Sequence, residues 1–131
     1  MNFLLDTNIC IGLLNGRDPS FLQQLQLLNP QDVYLCSIVK AELIYGARKS
    51  QQKNKKKKRL KIFFQEFQSV SFDDRCAEVY GDIRSHLEKS GKLIGNNDIL
   101  IAATAIVYEF HLVTQNVREF ERIFSLPLIQ W

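Results

Sequence analysis

Asn2-Phe3-Leu4-Leu5-Asp6-Thr7-Asn8-Ile9-Cys10 reads as a strand that runs without a loop into a helix. Asn2–Leu5 is a short apolar run of the kind that a parallel sheet buries on both faces. Asp6, Thr7 and Asn8 are all residue types that cap helices, because their side-chain oxygens satisfy amides that the first turn leaves unpaired. The apolar Ile9, Ile11, Leu13 and Leu14 then predict a helix ending near Asn15-Gly16. The same alternation continues downstream. A helix is expected over Pro19–Leu28, capped by Asp18 and broken by Pro30, followed by a strand at Val33–Cys36. Ser37 is expected to cap a helix through Ala47 with Ile38, Ala41, Ile44 and Tyr45 on its apolar face. A basic segment leads to a helix at Leu60–Phe67 and a strand at Val70–Phe72. Asp73 or Asp74 opens a long helix to Lys89, with Ala77, Tyr80, Ile83 and Leu87 at helical spacing. Asn96-Asn97-Asp98 caps a helix over Ile99–Tyr108 that is apolar almost all round and therefore buried. A strand at His111–Val113, a helix at Val117–Ile123 and a strand at Leu128–Gln130 complete the chain. Strands separated by helices need crossover connections. The fold class is therefore α/β: one three-layer α/β/α domain over residues 1–131, with a mainly parallel central sheet of four to five strands.

The chain has 131 residues, 46% of them hydrophobic and 24% charged. That is enough to build a core without staples, and it excludes a disordered tail, a fibrous repeat and a disulfide mini-scaffold. No apolar run reaches the roughly 18 residues of a membrane span. Asp6 interrupts the apolar N-terminus and no basic residues precede it, so no signal peptide is expected. Cys10, Cys36 and Cys76 lack metal-ligand spacing and read as small buried hydrophobes of a reducing compartment, the cytoplasm.

The net charge of +3 hides an asymmetry. Lys40–Lys61 holds ten of the seventeen Lys and Arg residues and a single acid, Glu42, so the remainder of the chain is net acidic. The peak is Lys53-Asn54-Lys55-Lys56-Lys57-Lys58-Arg59. Such a run attracts phosphate backbones by counterion release, without reading sequence. A solvated surface explains it equally well unless a phosphate-handling site lies nearby.

In sheets of this class the functional site forms at the carboxyl ends of the strands. Asp6 follows the first strand and Asn116 the fourth, so the two are expected to face one another. Glu42 and Asp98 interrupt apolar patterns nearby. Each has a plainer reading: Asp6 and Asp98 as helix caps, Glu42 as a solvent-facing side chain, Asn116 as a turn residue. Their joint placement on one edge is what points to a site. Carboxylates beside apolar surface are costly unless paired, and three on one edge repel one another. A divalent cation removes that conflict, and all-oxygen ligands favour Mg²⁺ or Mn²⁺ over zinc. His86 and His111 read as structural, and neither a nucleophile dyad nor a phosphate-binding glycine loop is present, so water is the expected nucleophile.

Leu4-Leu5-Asp6-Thr7-Asn8 resembles the opening of PIN-domain ribonucleases. Ala41-Glu42-Leu43-Ile44-Tyr45-Gly46-Ala47 resembles their second acidic motif. Gly95-Asn96-Asn97-Asp98-Ile99-Leu100-Ile101-Ala102-Ala103 resembles the third, and Leu112-Val113-Thr114-Gln115-Asn116 with Glu119-Phe120 the fourth. The resemblance runs the whole length and is closest to VapC-type toxins of bacterial toxin–antitoxin pairs. It implies a PIN-like version of the α/β/α fold and an endoribonuclease whose Mg²⁺ or Mn²⁺ is held by Asp6, Glu42 and Asp98. The fourth position, often Asp in the family, is Asn116, which brings no charge; Glu119, one helical step away, would compensate for it or is a plain surface residue. Thr7 and Thr114 would orient the carboxylates. The resemblance further implies 5′-phosphate and 3′-hydroxyl products, a homodimer, a VapB-type antitoxin as partner, and an RNA substrate. At Asp6-Thr7-Asn8-Ile9-Cys10 it is to members that cut initiator tRNA. Lys53, Lys55, Lys56, Lys57, Lys58 and Arg59 would then contact the RNA. A dehalogenase-type phosphatase would need an acid where Asn8 stands, and a receiver domain a late-strand lysine that is missing. The alternative is a catalytically weak PIN-fold binding module acting through antitoxin or nucleic-acid contacts.

Overall fold

A computed structural model describes all 131 residues. Strand β1 (Phe3–Leu5) runs directly into helix α1 (Thr7–Asn15), with Asp6 at the capping position. Gly16 closes α1 in the left-handed conformation at φ 64°, donating its N–H to the Gly12 carbonyl. Helix α2 (Pro19–Gln26) is capped by Asp18, and a 3-10 turn at Pro30–Asp32 leads into β2 (Val33–Cys36). The chain continues through α3 (Ser37–Arg48), α4 (Lys53–Gln65), β3 (Gln68–Val70), α5 (Asp74–Lys89) and α6 (Asn96–Val107). It ends with β4 (His111–Thr114), α7 (Val117–Phe120) and β5 (Leu128–Gln130).

The five strands form one sheet in the order β3-β2-β1-β4-β5, and every neighbouring pair is parallel. The chain winds outward from β1 to β2 and β3, then returns to place β4 and β5 on the other side. The order therefore reverses between β1 and β4, and in open α/β sheets that reversal opens a crevice at the carboxyl ends. Leu5 pairs with Val113, so the register carries Asp6 alongside Thr114. The helices complete a three-layer α/β/α arrangement. Leu4, Leu5, Leu35, Leu112 and Val113 are fully buried in the sheet, and α6 buries Ile99 and Ile101–Ala105. Cys10, Cys36 and Cys76 are free and buried, and no helix is long and apolar enough to cross a membrane.

Several local expectations are corrected. The lysine run is not a separate segment: it forms the first turns of α4, because lysine and arginine propagate helices nearly as well as leucine. Leu60 is buried and anchors that helix. The third strand is Gln68–Val70 instead of Val70–Phe72, since pairing of Tyr34 with Gln68 and Cys36 with Val70 sets its register. Cys36, not Ser37, occupies the capping position of α3, and Ser37 turns its hydroxyl to the Val70 carbonyl. The buried face of α3 is Val39, Leu43 and Ala47, whereas Ile44 and Tyr45 are 38% and 66% exposed. In α5, Cys76 packs inward and Ala77 is exposed. Helix α2 stops at Gln26 and α7 at Phe120, both shorter than expected.

One close approach gives a stability prediction. A Cβ on Gly12 would stand 2.5 Å from Cδ2 and Cε2 of Phe21, whose buried ring packs on Trp131. Repacking costs about 1–3 kcal/mol, and alanine's better helix propensity returns about 1 kcal/mol at most. Gly12→Ala is therefore expected to lower the urea midpoint. An unchanged or raised midpoint would mean that the ring moves freely.

Candidate active site

The end of β1 places Asp6 where sheet, helix and site meet. Its Oδ1 accepts the Ile9 amide at 3.1 Å and caps α1, while Oδ2 accepts the Thr114 hydroxyl at 2.5 Å. Asp6 is 4% exposed. The capping role and the site role therefore belong to the same carboxylate, one oxygen each. Thr114, fully buried at the end of β4, also accepts the Asn116 amide at 2.9 Å. Asn116 Nδ2 in turn donates to Glu119 Oε2 at 3.0 Å. A continuous chain of hydrogen bonds thus runs Asp6–Thr114–Asn116–Glu119. On the other side of Asp6, the Thr7 hydroxyl donates to Glu42 Oε1 at 2.6 Å, tying the first turn of α1 to the middle of α3.

Asp98 lies in the first turn of α6, inside the helix, with Gly95 at the capping position. The expected cap is thus replaced by a half-buried carboxylate that accepts no hydrogen bond from the protein. A Cβ on Gly95 would come within 3.4 Å of Asp98 Oδ2. Burial raises the Asp98 carboxyl to a pKa of about 6, with further contributions from Glu119, Asp6 and Glu42. Burial also raises Asp6, against the lowering effect of Thr114, Ile9 and Asn8, and Glu42 adds to the rise.

Four carboxylates therefore share one field, and none of them is in an ion pair: the ion pairs of the molecule are Arg75–Asp73 and Arg84–Glu88. As folded, no three of these carboxylates close into a finished metal cage. Mutual repulsion opposes such closure, while Thr7 and Thr114 each hold one carboxylate, Glu42 and Asp6, by a hydroxyl hydrogen bond. The donor set nevertheless suits a hard divalent ion. It is all oxygen, it carries surplus negative charge, and Asp98 has no protein partner to give up. Hydrogen bonds link Asp6 to Asn116 through Thr114, Glu42 is bonded to Thr7 next to Asp6, and Asp98 is within the electrostatic reach of Asp6 and Glu42. Glu119 joins them through the three-residue step from Asn116, the spacing at which side chains of one helical turn meet.

The histidines stand apart. His111 opens β4 at the opposite end of the strand from Thr114, and His86 is exposed on α5. The basic row of α4 is divided. Lys56 and Arg59 line a cleft of about 220 Å³ that also contains Glu42, and Arg59 hydrogen-bonds the Leu14 carbonyl. Lys57 and Lys58 line a neighbouring groove with Ile44 and Phe64, while Lys53 and Lys55 line neither.

Known proteins share this fold. Residues 3–124 match the PIN domain family. Ribonuclease VapC2 of Rickettsia felis is 42% identical over 100% of this chain and 98% of its own length. The Shigella flexneri protein named tRNA(fMet)-specific endonuclease VapC is 34% identical over the same shares. The fold superimposes with a TM-score of 0.94 on the crystal structure of VapBC2 from Rickettsia felis bound to a promoter DNA fragment, at 41% identity, covering 100% of this chain and 99% of that one. With its acidic residues gathered at the switch point of the sheet and its whole length matched, the chain belongs to the PIN-domain family, among its VapC-type members.

Proposed function

We propose that this chain is the ribonuclease toxin of a VapBC-type pair, cutting RNA with Mg²⁺ or Mn²⁺. The observation that carries this reading is the set of uncompensated carboxylates joined through Thr7 and Thr114 at one sheet edge. Asp6 and Asp98 would hold the ion directly. Glu42, fixed by Thr7, would help hold the ion or accept the proton of the attacking water. Asn116 and Glu119 orient that water from the β4 side. A bound divalent ion supplies Lewis acidity, lowering the pKa of water and offsetting charge on the phosphate. The water oxygen bonds to phosphorus and the bond to the ribose 3′-oxygen breaks. The products then carry 5′-phosphate and 3′-hydroxyl ends.

The wider assignment follows the relatives. The name of the Shigella flexneri protein supports initiator tRNA as substrate. The solved VapBC complexes support a VapB-type antitoxin that neutralises the toxin. We place the working form in the cytoplasm as a homodimer. A second reading, a binding module of weak activity, draws on the uncharged Asn116, whose amide also engages Glu119. Antitoxin-free protein decides between the two. Metal-dependent cleavage that a chelator stops supports the nuclease, and metal-loaded protein that binds antitoxin but cuts no RNA supports the module.

The lysine row would supply affinity instead of chemistry. Replacing Lys55–Lys58 by Gln is expected to weaken RNA binding and to lower the slope of log affinity against log salt by about 3, at roughly 0.7 per phosphate contact. Turnover at saturating RNA should hold. An unaltered salt slope would take this helix out of the RNA path.

A further inference from the structure

A second group of cations lies on the opposite flank of the carboxylates from α4. Lys92, between α5 and α6, and Arg118 and Arg122, in and just after α7, line one open depression of about 730 Å³ with Gly91 and Glu121. No apolar side chain lines it, and all five residues are exposed. Three cations there face one carboxylate, and none of them is in an ion pair. Arg122 is held in place all the same, because its Nη1 donates to the Leu93 carbonyl at 3.3 Å. Arg118 is the chain neighbour of Glu119, which accepts the Asn116 amide, so short helix α7 carries both a cation of the patch and a carboxylate of the cluster.

Strand order sets the geometry. Helix α4 packs on α3, which leaves β2 on one side of β1, whereas α7 joins β4 to β5 on the other. The negative cluster lies between them. An RNA backbone is repelled by uncompensated carboxylates and attracted by cations on either flank, so binding at both flanks is what offsets the central repulsion.

We infer that Lys92, Arg118 and Arg122 form a second phosphate-backbone site, which holds the RNA on the far side of the scissile bond from α4. This rests on the ribonuclease reading. It adds a length requirement: RNA too short to reach from α4 across the cluster to α7 occupies one flank only.

The test is equilibrium binding of oligouridylates of about 5 and about 25 nucleotides, in chelator so that nothing is cut. Replacing all three cations by Gln is expected to weaken binding of the long RNA about tenfold and to lower its salt slope by about 2, while binding of the short RNA changes less than about twofold. The pair Lys92→Gln and Arg118→Gln leaves the Arg122–Leu93 bond in place and should show a smaller loss with the same length dependence. Equal losses on both RNAs would mean a diffuse field effect and overturn the site. So would unchanged binding of the long RNA, including a variant that loses only a protein partner. Adding Mg²⁺ to the same mixtures tests the chemistry separately: wild-type protein that binds but never cuts defeats the ribonuclease reading and leaves the binding comparison readable.

Discussion

Asp6→Asn is expected to lower RNA cleavage by about a thousandfold or more, the scale of losing a principal electrostatic group of a hydrolytic site. The fold should survive. The amide keeps an oxygen for the Ile9 N–H, so α1 remains capped. Its nitrogen replaces the oxygen that accepts from Thr114, and the Thr114 oxygen, which accepts one N–H from Asn116, has a second lone pair with which to accept from that nitrogen. The substitution also removes a buried charge that burial disfavours, so Tm should hold or rise. Cleavage rates at saturating RNA with Mg²⁺ or Mn²⁺, read beside circular dichroism and Tm, check this. Wild-type cleavage by folded Asp6→Asn would end the metal-site argument.

Asp98→Asn should cost activity on the same scale and should also change how stability responds to metal and pH. If Asp98 holds the ion, Mg²⁺ at a hundredfold excess over its Kd stabilises the wild type by about 2.7 kcal/mol. The variant should lose most of that rise. Without metal the expected order reverses. The folded carboxyl is raised to about 6 against an ordinary value near 3.8, so its ionised form is penalised by folding. The wild type carries this penalty fully above pH 6 and sheds it as pH falls toward 4. The variant should therefore be the more stable protein at pH 8 in chelator, with the gap closing below pH 5. A gap independent of pH, or an undiminished metal response in the variant, would remove Asp98 from the ligand set.

The features legible in the sequence are those set by strong local patterns. Asp6 directly after a buried strand fixes both the helix start and the edge on which the carboxylate emerges, and parallel pairing then brings Thr114 and Asn116 beside it. The apolar run after Asp98 likewise leaves α6 no place but the interior. Where several patterns compete, tertiary packing decides. Helix α3 is apolar on more than one side, and its contacts with α4 and α6 select Val39, Leu43 and Ala47 over Ile44 and Tyr45. Gln68–Val70 has little apolar signal because it is an edge strand with two exposed residues. Helix α4 has long charged side chains over its first turns, so its docking is set by its second half, where Leu60 is buried and Phe63 and Phe64 pack against the core. The patch of Lys92, Arg118 and Arg122 is invisible in the linear charge plot. Its members lie in different segments and meet only after α7 folds back toward the start of α6.

The bond between Thr114 and Asp6 joins residues 108 apart in the chain. A nascent chain still on the ribosome, with β4 not yet emerged, carries the first acid of the cluster but neither its hydroxyl partner nor Asn116 and Glu119. If the proposed centre needs that bond, almost the whole polypeptide must be made before the centre can assemble.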